Sequence, residues 1–377
     1  MNEKEVAELR RRIRPDHNAI THIHGCYVNE KGEIVARFDQ PMSMLSQEET
    51  ERMLGLLRKT LSGGLGKNLT DITFATRQVV EGEEHKLLMT LRDSELRDEE
   101  AVENLFHTVI RVLQMEGNYL ILLASDRYDV PFRGKDDAVL KDDASGEVYS
   151  YILCAVCPVK QTKPGLSYYV NENEFHSLSA DWVVAAPELG FLFPAFDERS
   201  TNLYNALYYS RDTAENHPEF VDAVFRAQPP MAPAAQKETF QGLLHDVLEE
   251  DCCMDVVQAV QDRLCTMVDE HKQSKDPRPL TVSKNTVKNV LSTCGVSDEK
   301  VVAFGDQYDA RFGEDADLSP RNLVDINRME IKTPDVTIRV SAERSDLLQT
   351  RVIDGAKYIL IRAEEGVEVN GVPVHIS

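Results

Sequence analysis

The sequence predicts an α+β protein: a mixed sheet-and-helix N-terminal domain, a helical segment and a C-terminal β-meander. Three observations carry this. Two short, continuous apolar runs, NYLILLAS (118–125) and VYSYILCAV (148–156), have the pattern of strands buried on both faces. Pro229, Pro230 and Pro233 fall within five residues, which neither a helix interior nor a central strand accommodates, and the composition turns helical after them. Asp354-Gly355 and Asn370-Gly371 each lie between β-rich apolar runs, the strongest short-range signal for a tight hairpin turn. The expected parts are a mixed domain over 1–226, a helical segment over 236–328 and a small β unit over 329–377 packing on the rest.

The elements follow in order. Residues 3–13 read as a helix stopped at Arg14-Pro15. ITHIHGCYV and EIVARFDQP form a hairpin around Asn29-Glu30-Lys31-Gly32. SQEETERMLGLLRKTLSGG opens with a Ser and a Glu three residues later and closes on two glycines, a capping box and a glycine stop. DITFATRQVV reads as a strand, while HKLLMTLRDSEL is ambiguous. Residues 98–115 are a helix with a broad apolar face of Val102, Leu105, Phe106, Val109 and Ile110. LSYYV and WVVAAP are weaker strands. Beyond the proline-rich stretch 227–235, read as a linker or rigid turn, helices are expected over 236–272, 283–294 and 297–312. TPDVTIRVSAE and the two hairpins complete the chain.

The chain has 377 residues, with 42 Lys+Arg against 64 Asp+Glu, for a formal charge of −22. Affinity for nucleic acid comes largely from cations neutralising phosphates, so this excess opposes tight direct binding to DNA. The local exception is Arg10, Arg11, Arg12 and Arg14, read either as the solvated face of the first helix or as a contact patch. No apolar run reaches the length of a membrane-spanning helix, and MNEKEVAELRRRIRPDHN lacks the apolar centre of a signal peptide. The seven cysteines are an odd number, which argues for reduced thiols. Cys252, Cys253 and Cys265 are expected to pack as small hydrophobes within helix. A cytoplasmic protein is the expectation.

The catalytic motifs fail one by one. Gly63-Gly64-Leu65-Gly66-Lys67-Asn68 is no phosphate loop: Leu61 stands where the first glycine belongs, Asn68 replaces Ser/Thr, and a helix precedes it. Cys154-Ala155-Val156-Cys157 has no second cysteine pair, and on a strand its thiols point to opposite faces. Core packing is its reading, with no cofactor and no metal. His22, His24 and Cys26 share one strand face, and two histidines at that spacing can chelate zinc or do acid–base work. Ile20 and Val28 share that parity, so a buried structural face competes with this. The acidic groups Asp136, Asp137, Asp142, Asp143 and Asp306, Asp309, Glu314, Asp315, Asp317 fit no calcium loop. Residues 283–312 have the outline of a helix-turn-helix, but Asp298, Glu299, Asp306 and Asp309 suit no recognition helix. Phe191, Phe193 and Phe196 beside Pro194 are either core or an apolar contact loop.

The chain resembles a family of bacterial proteins defined as a domain of unknown function. The resemblance lies in HGCYVNEKGEIVARFDQP, KTLSGGLGKNL, SDRYDVPFRGKDD, ILCAVCPVKQTKPGLSYY, GFLFPAFDERSTN and VIDGAKYILI with VNGVPV. It spans nearly the whole chain and implies no activity or catalytic residue. In layout alone, a mixed half followed by helices and a terminal β unit is similar to acidic nucleoid-associated proteins. The favoured function is a non-catalytic binding or interaction protein, in its finer form nucleoid-associated through a protein partner or self-association, with no membrane role. The alternative is a hydrolase-like, metal-assisted enzyme with its site near His22 and His24.

Overall fold

A computed structural model describes residues 1–131, 145–170, 172–274, 276–314, 316–363 and 366–375. They divide into two units, Met1–Ala232 with Pro277–Pro279, and Pro233–Asp276 with Leu280–Ser377.

The first unit contains α1 (Glu3–Arg12), β1 (His22–Val28), β2 (Ile34–Pro41), α2 (Gln47–Lys59), β3 (Leu69–Thr73), α3 (Thr76–Glu81), α4 (Glu83–Asp93) and α5 (Glu99–Val112). It continues through β4 (Asn118–Pro131), β5 (Ser145–Gln161), β6 (Gly165–Tyr169), β7 (Glu174–Leu178), β8 (Trp182–Val184), β9 (Leu189–Phe193), β10 (Ala195–Asp197), β11 (Ser200–Asn202), β12 (Asn205–Ser210) and α6 (Pro218–Phe225). The main sheet has the order β2-β1-β4-β5-β9-β12-β3, with β8 also paired to β5, and every pairing is antiparallel.

Alternation along the central strands sorts side chains into two cores. Ile121 and Leu123 of β4, with Ile152, Cys154 and Val156 of β5, meet Leu88, Leu91, Leu105, Phe106, Val109, Phe220 and Val224 from α4, α5 and α6. Leu120 and Leu122, with Leu153, Ala155 and Cys157, meet Val6, Leu9, Leu54 and Leu57 from α1 and α2 on the opposite face. An antiparallel sheet usually leaves one face to water, but this one is roofed on both, which is why its inner strands read as unbroken apolar runs.

Local chemistry explains two departures from expectation. The strand predicted over DITFATRQVV stops at Thr73, and Thr76–Glu81 is helix instead. The Gln78 side chain accepts from the Ala75 amide at 2.8 Å and starts a helical turn that β-propensity alone conceals. The ambiguous HKLLMTLRDSEL is helical, because it buries His85, Leu88 and Leu91 along one stripe.

The second unit contains α7 (Pro233–Leu248), α8 (Met254–Ser274), α9 (Lys284–Thr293), α10 (Asp298–Phe312) and α11 (Pro320–Leu323), then β13 (Arg328–Lys332), β14 (Thr337–Ser341), β15 (Leu348–Ile353), β16 (Ala356–Ile361), β17 (Val367–Val369) and β18 (Val372–Val374). Part of the proline-rich stretch is helix: α7 begins at Pro233, a residue suited to the first turn, where its missing N–H has no intrahelical partner to lose. The long helix expected over 236–272 is broken at Glu249–Asp251, where Glu249 has φ +49°. Cys252 and Cys253 lie at this break, half-buried and exposed respectively, outside the helices expected to hold them. Phe240, Leu243, Val260, Leu264, Leu291, Val301, Phe304 and Tyr308 form one helical core.

The C-terminal antiparallel strands pair two by two, β13 with β14, β15 with β16 and β17 with β18. Asp354 and Gly355 have φ of +50° and +83°, and Asn370 and Gly371 +52° and +81°, the doubly positive turn that those dipeptides predict.

Gly190 on β9 lies where α2 comes down onto the sheet. A Cβ there would strike the Cys154 carbonyl oxygen and lie 2.8 Å from Thr60 Cγ2 and 3.3 Å from Ala155 Cα. Backbone cannot yield as a side-chain tip can, so Gly190→Ala is expected to cost about 1–3 kcal/mol of stability. A lowered urea midpoint with an unchanged slope checks this; an unchanged midpoint would show that the strands shift freely here.

Candidate functional site

Strand β1 carries the histidines predicted as a site, and its neighbours decide what they face. In the register, His24 lies opposite Asp39 and Cys26 opposite Arg37 on β2, while on the other side they meet Leu123 and Ile121 of β4. β2 is an edge strand, so this row is apolar toward the sheet centre and charged toward the rim. His24 Nδ1 is 3.8 Å from Asp39 Oδ1. Arg37 forms an ion pair with Glu103 of α5 and lies 3.4 Å from His107 Nε2. His22 is exposed, its Nδ1 3.1 Å from the Thr21 hydroxyl.

The three predicted residues therefore part company: His22 faces solvent, His24 is half-buried and Cys26 is fully buried. Burial raises the Cys26 thiol above its ordinary pKa, against the opposing pull of Arg37. Ile20 does not share their face. It precedes β1, where strand parity does not apply, and packs with α1 and α2. Among the described residues, no three His, Cys, Asp or Glu side chains are grouped to hold a metal ion.

The arginine cluster also divides. Arg10, Arg11 and Arg14 are exposed, but Arg12 turns inward. Its guanidinium stacks 4.1 Å over the Tyr128 ring, donates to the Arg127 carbonyl at 3.1 Å and lies 3.5 Å from Asp126. Asp126 is almost wholly buried and accepts from the Tyr151 hydroxyl at 2.6 Å, the Ala19 amide at 2.7 Å and the Arg127 amide at 2.9 Å. Tyr151 stacks on Tyr149, whose hydroxyl donates to the Pro194 carbonyl at 2.6 Å, and burial holds both phenols well above their ordinary pKa. Next to them Glu8 pairs with Arg199 at 2.5 Å and accepts from Tyr128. This network pins α1 to the sheet. Nothing in the sequence pattern announced it, because Arg12, Asp126 and Tyr151 are far apart in the chain.

Phe191, Phe193 and Phe196 are fully buried, which replaces the contact-loop reading with the core one. Cys154 and Cys157 belong to the two opposite cores, as strand parity requires. Burial drives the Cys154 thiol far above its usual range and pushes Cys157 up to about 12. In the helix-turn-helix outline, α10 gives its apolar face to the core. Its cations are bound at the end of α7: Lys300 donates to the Leu248 carbonyl at 2.7 Å, and Arg311 meets Asp246 at 2.7 Å. Asp136, Asp137, Asp142, Asp143 and Asp315 lie outside the described residues.

On the face covered by α4, α5 and α6 there is a pair of cavities. A groove of about 410 Å³ runs between α4, α5 and α6, lined in part by Glu83, Glu84, Asp98, Glu100 and Arg111. A second, of about 510 Å³, is lined by Val79, His85, Lys86, Met89, Thr90, Asp93 and Ser94. The buried His85 makes its contact to the Leu203 carbonyl through Nε2 at 2.9 Å, so that nitrogen carries the proton. Neither cavity includes His22, His24 or Cys26.

The first unit is an α+β scaffold whose sheet is roofed on both faces, with Cys26, Cys154 and Cys157 buried in its two cores. The chain belongs to the family described as domain of unknown function DUF4317, which matches residues 1–372. No curated protein matches it. No described helix is long and apolar enough to cross a membrane.

Thiol burial is measurable directly. Cys253 and Cys294 are exposed, Cys252 and Cys265 half-buried, and Cys26, Cys154 and Cys157 buried. A disulfide reagent should titrate the first pair quickly, the second slowly and the buried three only on unfolding. Fast reaction of Cys157 in the folded protein would contradict the packing.

His24 makes a second prediction. Burial, its largest influence, and the nearby His22 hold its pKa below the ordinary value, while Asp39 and Glu99 oppose them. The unfolded chain then takes up a proton at higher pH than the folded one, so stability falls as pH drops through the ordinary histidine range toward the lower folded value. His24→Gln removes this contribution. Its urea midpoint should fall less than that of wild type between about pH 7.5 and 5.5. Parallel curves would mean that His24 titrates alike in both states.

Proposed function

We propose that this protein is a cytoplasmic, non-catalytic interaction protein that works through a protein partner. The observation that carries this is where its exposed apolar side chains lie. Among the described residues, fourteen of the twenty-two exposed large hydrophobic residues fall in two stretches, residues 165–184 and 336–374. Those stretches hold β6, β7 and β8 and the C-terminal hairpins. Single exposed hydrophobes are ordinary, but Leu166 at 75%, Val170 at 79%, Phe175 at 66% and the lone tryptophan, Trp182, at 56% exposure gather on one hairpin and its neighbour. Free thiols throughout support a reducing compartment.

The inward turn of Arg12 bears on the finer, nucleoid-associated form. It leaves Arg10, Arg11 and Arg14 as the cations of that cluster open to phosphate, and each neutralised phosphate contributes a salt slope of only about −0.9. Association with DNA would therefore run through the partner. The histidine-centred hydrolase alternative has less support, since His22 and His24 face different surroundings and neither lines a cavity described above.

The test is co-purification from cells at native expression, comparing wild type with Phe175→Ser/Trp182→Ser, Val352→Ser/Tyr358→Ser and His22→Ala/His24→Ala. Each pair of exposed hydrophobes removed should cost the bound partner about tenfold or more in recovery, with the unfolding midpoint unchanged, and the histidine variant should retain it. A partner kept by both hairpin variants, or a turnover activity lost in the histidine variant, would reverse the assignment.

A further inference from the structure

The hairpin of β15 and β16 has the plainest unfinished chemistry in the molecule. It is a two-stranded sheet, and among the described residues neither strand pairs with anything but the other. Two strands alone are marginal in water; a third strand or a covering layer normally completes them. Here Leu348 is buried and Ile359 and Leu360 are half-buried, while Val352, Ile353, Tyr358 and Ile361 are 69%, 44%, 46% and 56% exposed.

The charges on this ribbon run against those of the chain. Arg351 lies opposite Tyr358 on one face, and Lys357 lies opposite Val352 on the other. Both cations are exposed, and neither has a carboxylate at ion-pair distance among the described residues; Arg351 reaches only the Gln349 side-chain oxygen, at 3.5 Å. The remaining charge in the hairpin is Asp354, in the turn.

Charged residues on open strands often serve to prevent edge-to-edge association. In a chain of −22, an anion would serve that purpose better, since it would repel other acidic molecules. A cation on each face, each beside an exposed apolar side chain, instead attracts an acidic partner. Hairpin-to-hairpin pairing of two copies would set these cations against one another, between molecules that already repel. Duplex DNA fits poorly: two unpaired cations neutralise few phosphates, and Val352, Ile353 and Ile361 would stay uncovered.

We propose that β15 and β16 bind an extended, acidic segment of a partner protein by strand addition. Backbone hydrogen bonds to an open edge would supply affinity. On the β15 edge, side chains alternating to the two faces would set carboxylates near Arg351 and apolar groups beside Val352; on the β16 edge they would set carboxylates near Lys357 and apolar groups beside Tyr358. This rests on the interaction reading above and names the partner's chemistry.

The test uses the full chain and labelled peptides of alternating glutamate and valine, or alternating lysine and valine. Wild type should bind the glutamate peptide about tenfold or more tightly than the lysine peptide. Arg351→Glu/Lys357→Glu should reverse that order, and Arg351→Gln/Lys357→Gln should abolish the difference. Both pairs lie on exposed positions, and an unchanged circular dichroism spectrum and unfolding midpoint would establish that they fold. Hydrogen exchange should slow at amides of β15 or β16 when the glutamate peptide is bound.

Equal affinity for the two peptides, no binding at millimolar concentration, displacement of the glutamate peptide by duplex DNA, or sedimentation of a dimer lost in the double variant would each overturn the proposal. If the peptides fail while Val352→Ser/Tyr358→Ser still loses its partner from cells, the interaction reading stands and the acidic-strand assignment falls. If that variant also keeps its partner, both fail.

Discussion

From Asn118↔Val159 to Val130↔Glu147, β4 and β5 run side by side through the centre of the sheet, and the other strands of that sheet are placed outward from this pair. Each residue of the inner stretch belongs to one of two cores, so a slip of one residue would exchange the two sets of side chains between the faces. The register therefore settles more than the sheet. It places Cys154 among the side chains under α4, α5 and α6, and Cys157 among those under α1 and α2. It also aligns Tyr151 with Asp126, so that the buried carboxylate receives a phenolic proton donor from the strand beside it.

The same pairing shapes the polar chemistry. A buried carboxylate is tolerated when its lone pairs are occupied, and Asp126 receives two backbone amides and a hydroxyl, with a guanidinium 3.5 Å away. That arrangement consumes Arg12 and anchors the first helix. At the sheet's rim, β2 leaves Arg37 and Asp39 in contact with water beside a half-buried His24. Arg37 is paired with Glu103 of α5 and Asp39 lies 3.8 Å from the histidine, and charged side chains of this kind protect an edge strand from further pairing.

The second unit divides its labour differently. Its helices close one apolar core, and Lys300 and Arg311 are held at the end of α7. Its strands remain as separate hairpins with side chains in water. An apolar strand that covers no core must be covered by something else or tolerated as exposed surface. The charges around it bear on which: on β15 and β16 they are cations in an acidic chain.

The α+β class, the two buried strands, the doubly positive turns at Asp354-Gly355 and Asn370-Gly371, and the family itself were legible from residues alone, because each depends on short-range pattern. Strand parity likewise separates Cys154 from Cys157 from sequence alone. Long-range pairing decided the rest. Whether Arg12 faces solvent depends on Asp126 and Tyr128, more than a hundred residues away, and whether Phe196 is a contact or a core residue depends on Tyr149. The parity that joined Ile20 to His22 failed because the strand begins only at His22, a boundary set by pairing with β2 and β4. Local sequence determines which conformations a segment prefers. Only the tertiary structure determines which side chains lose water, because burial depends on what packs against them.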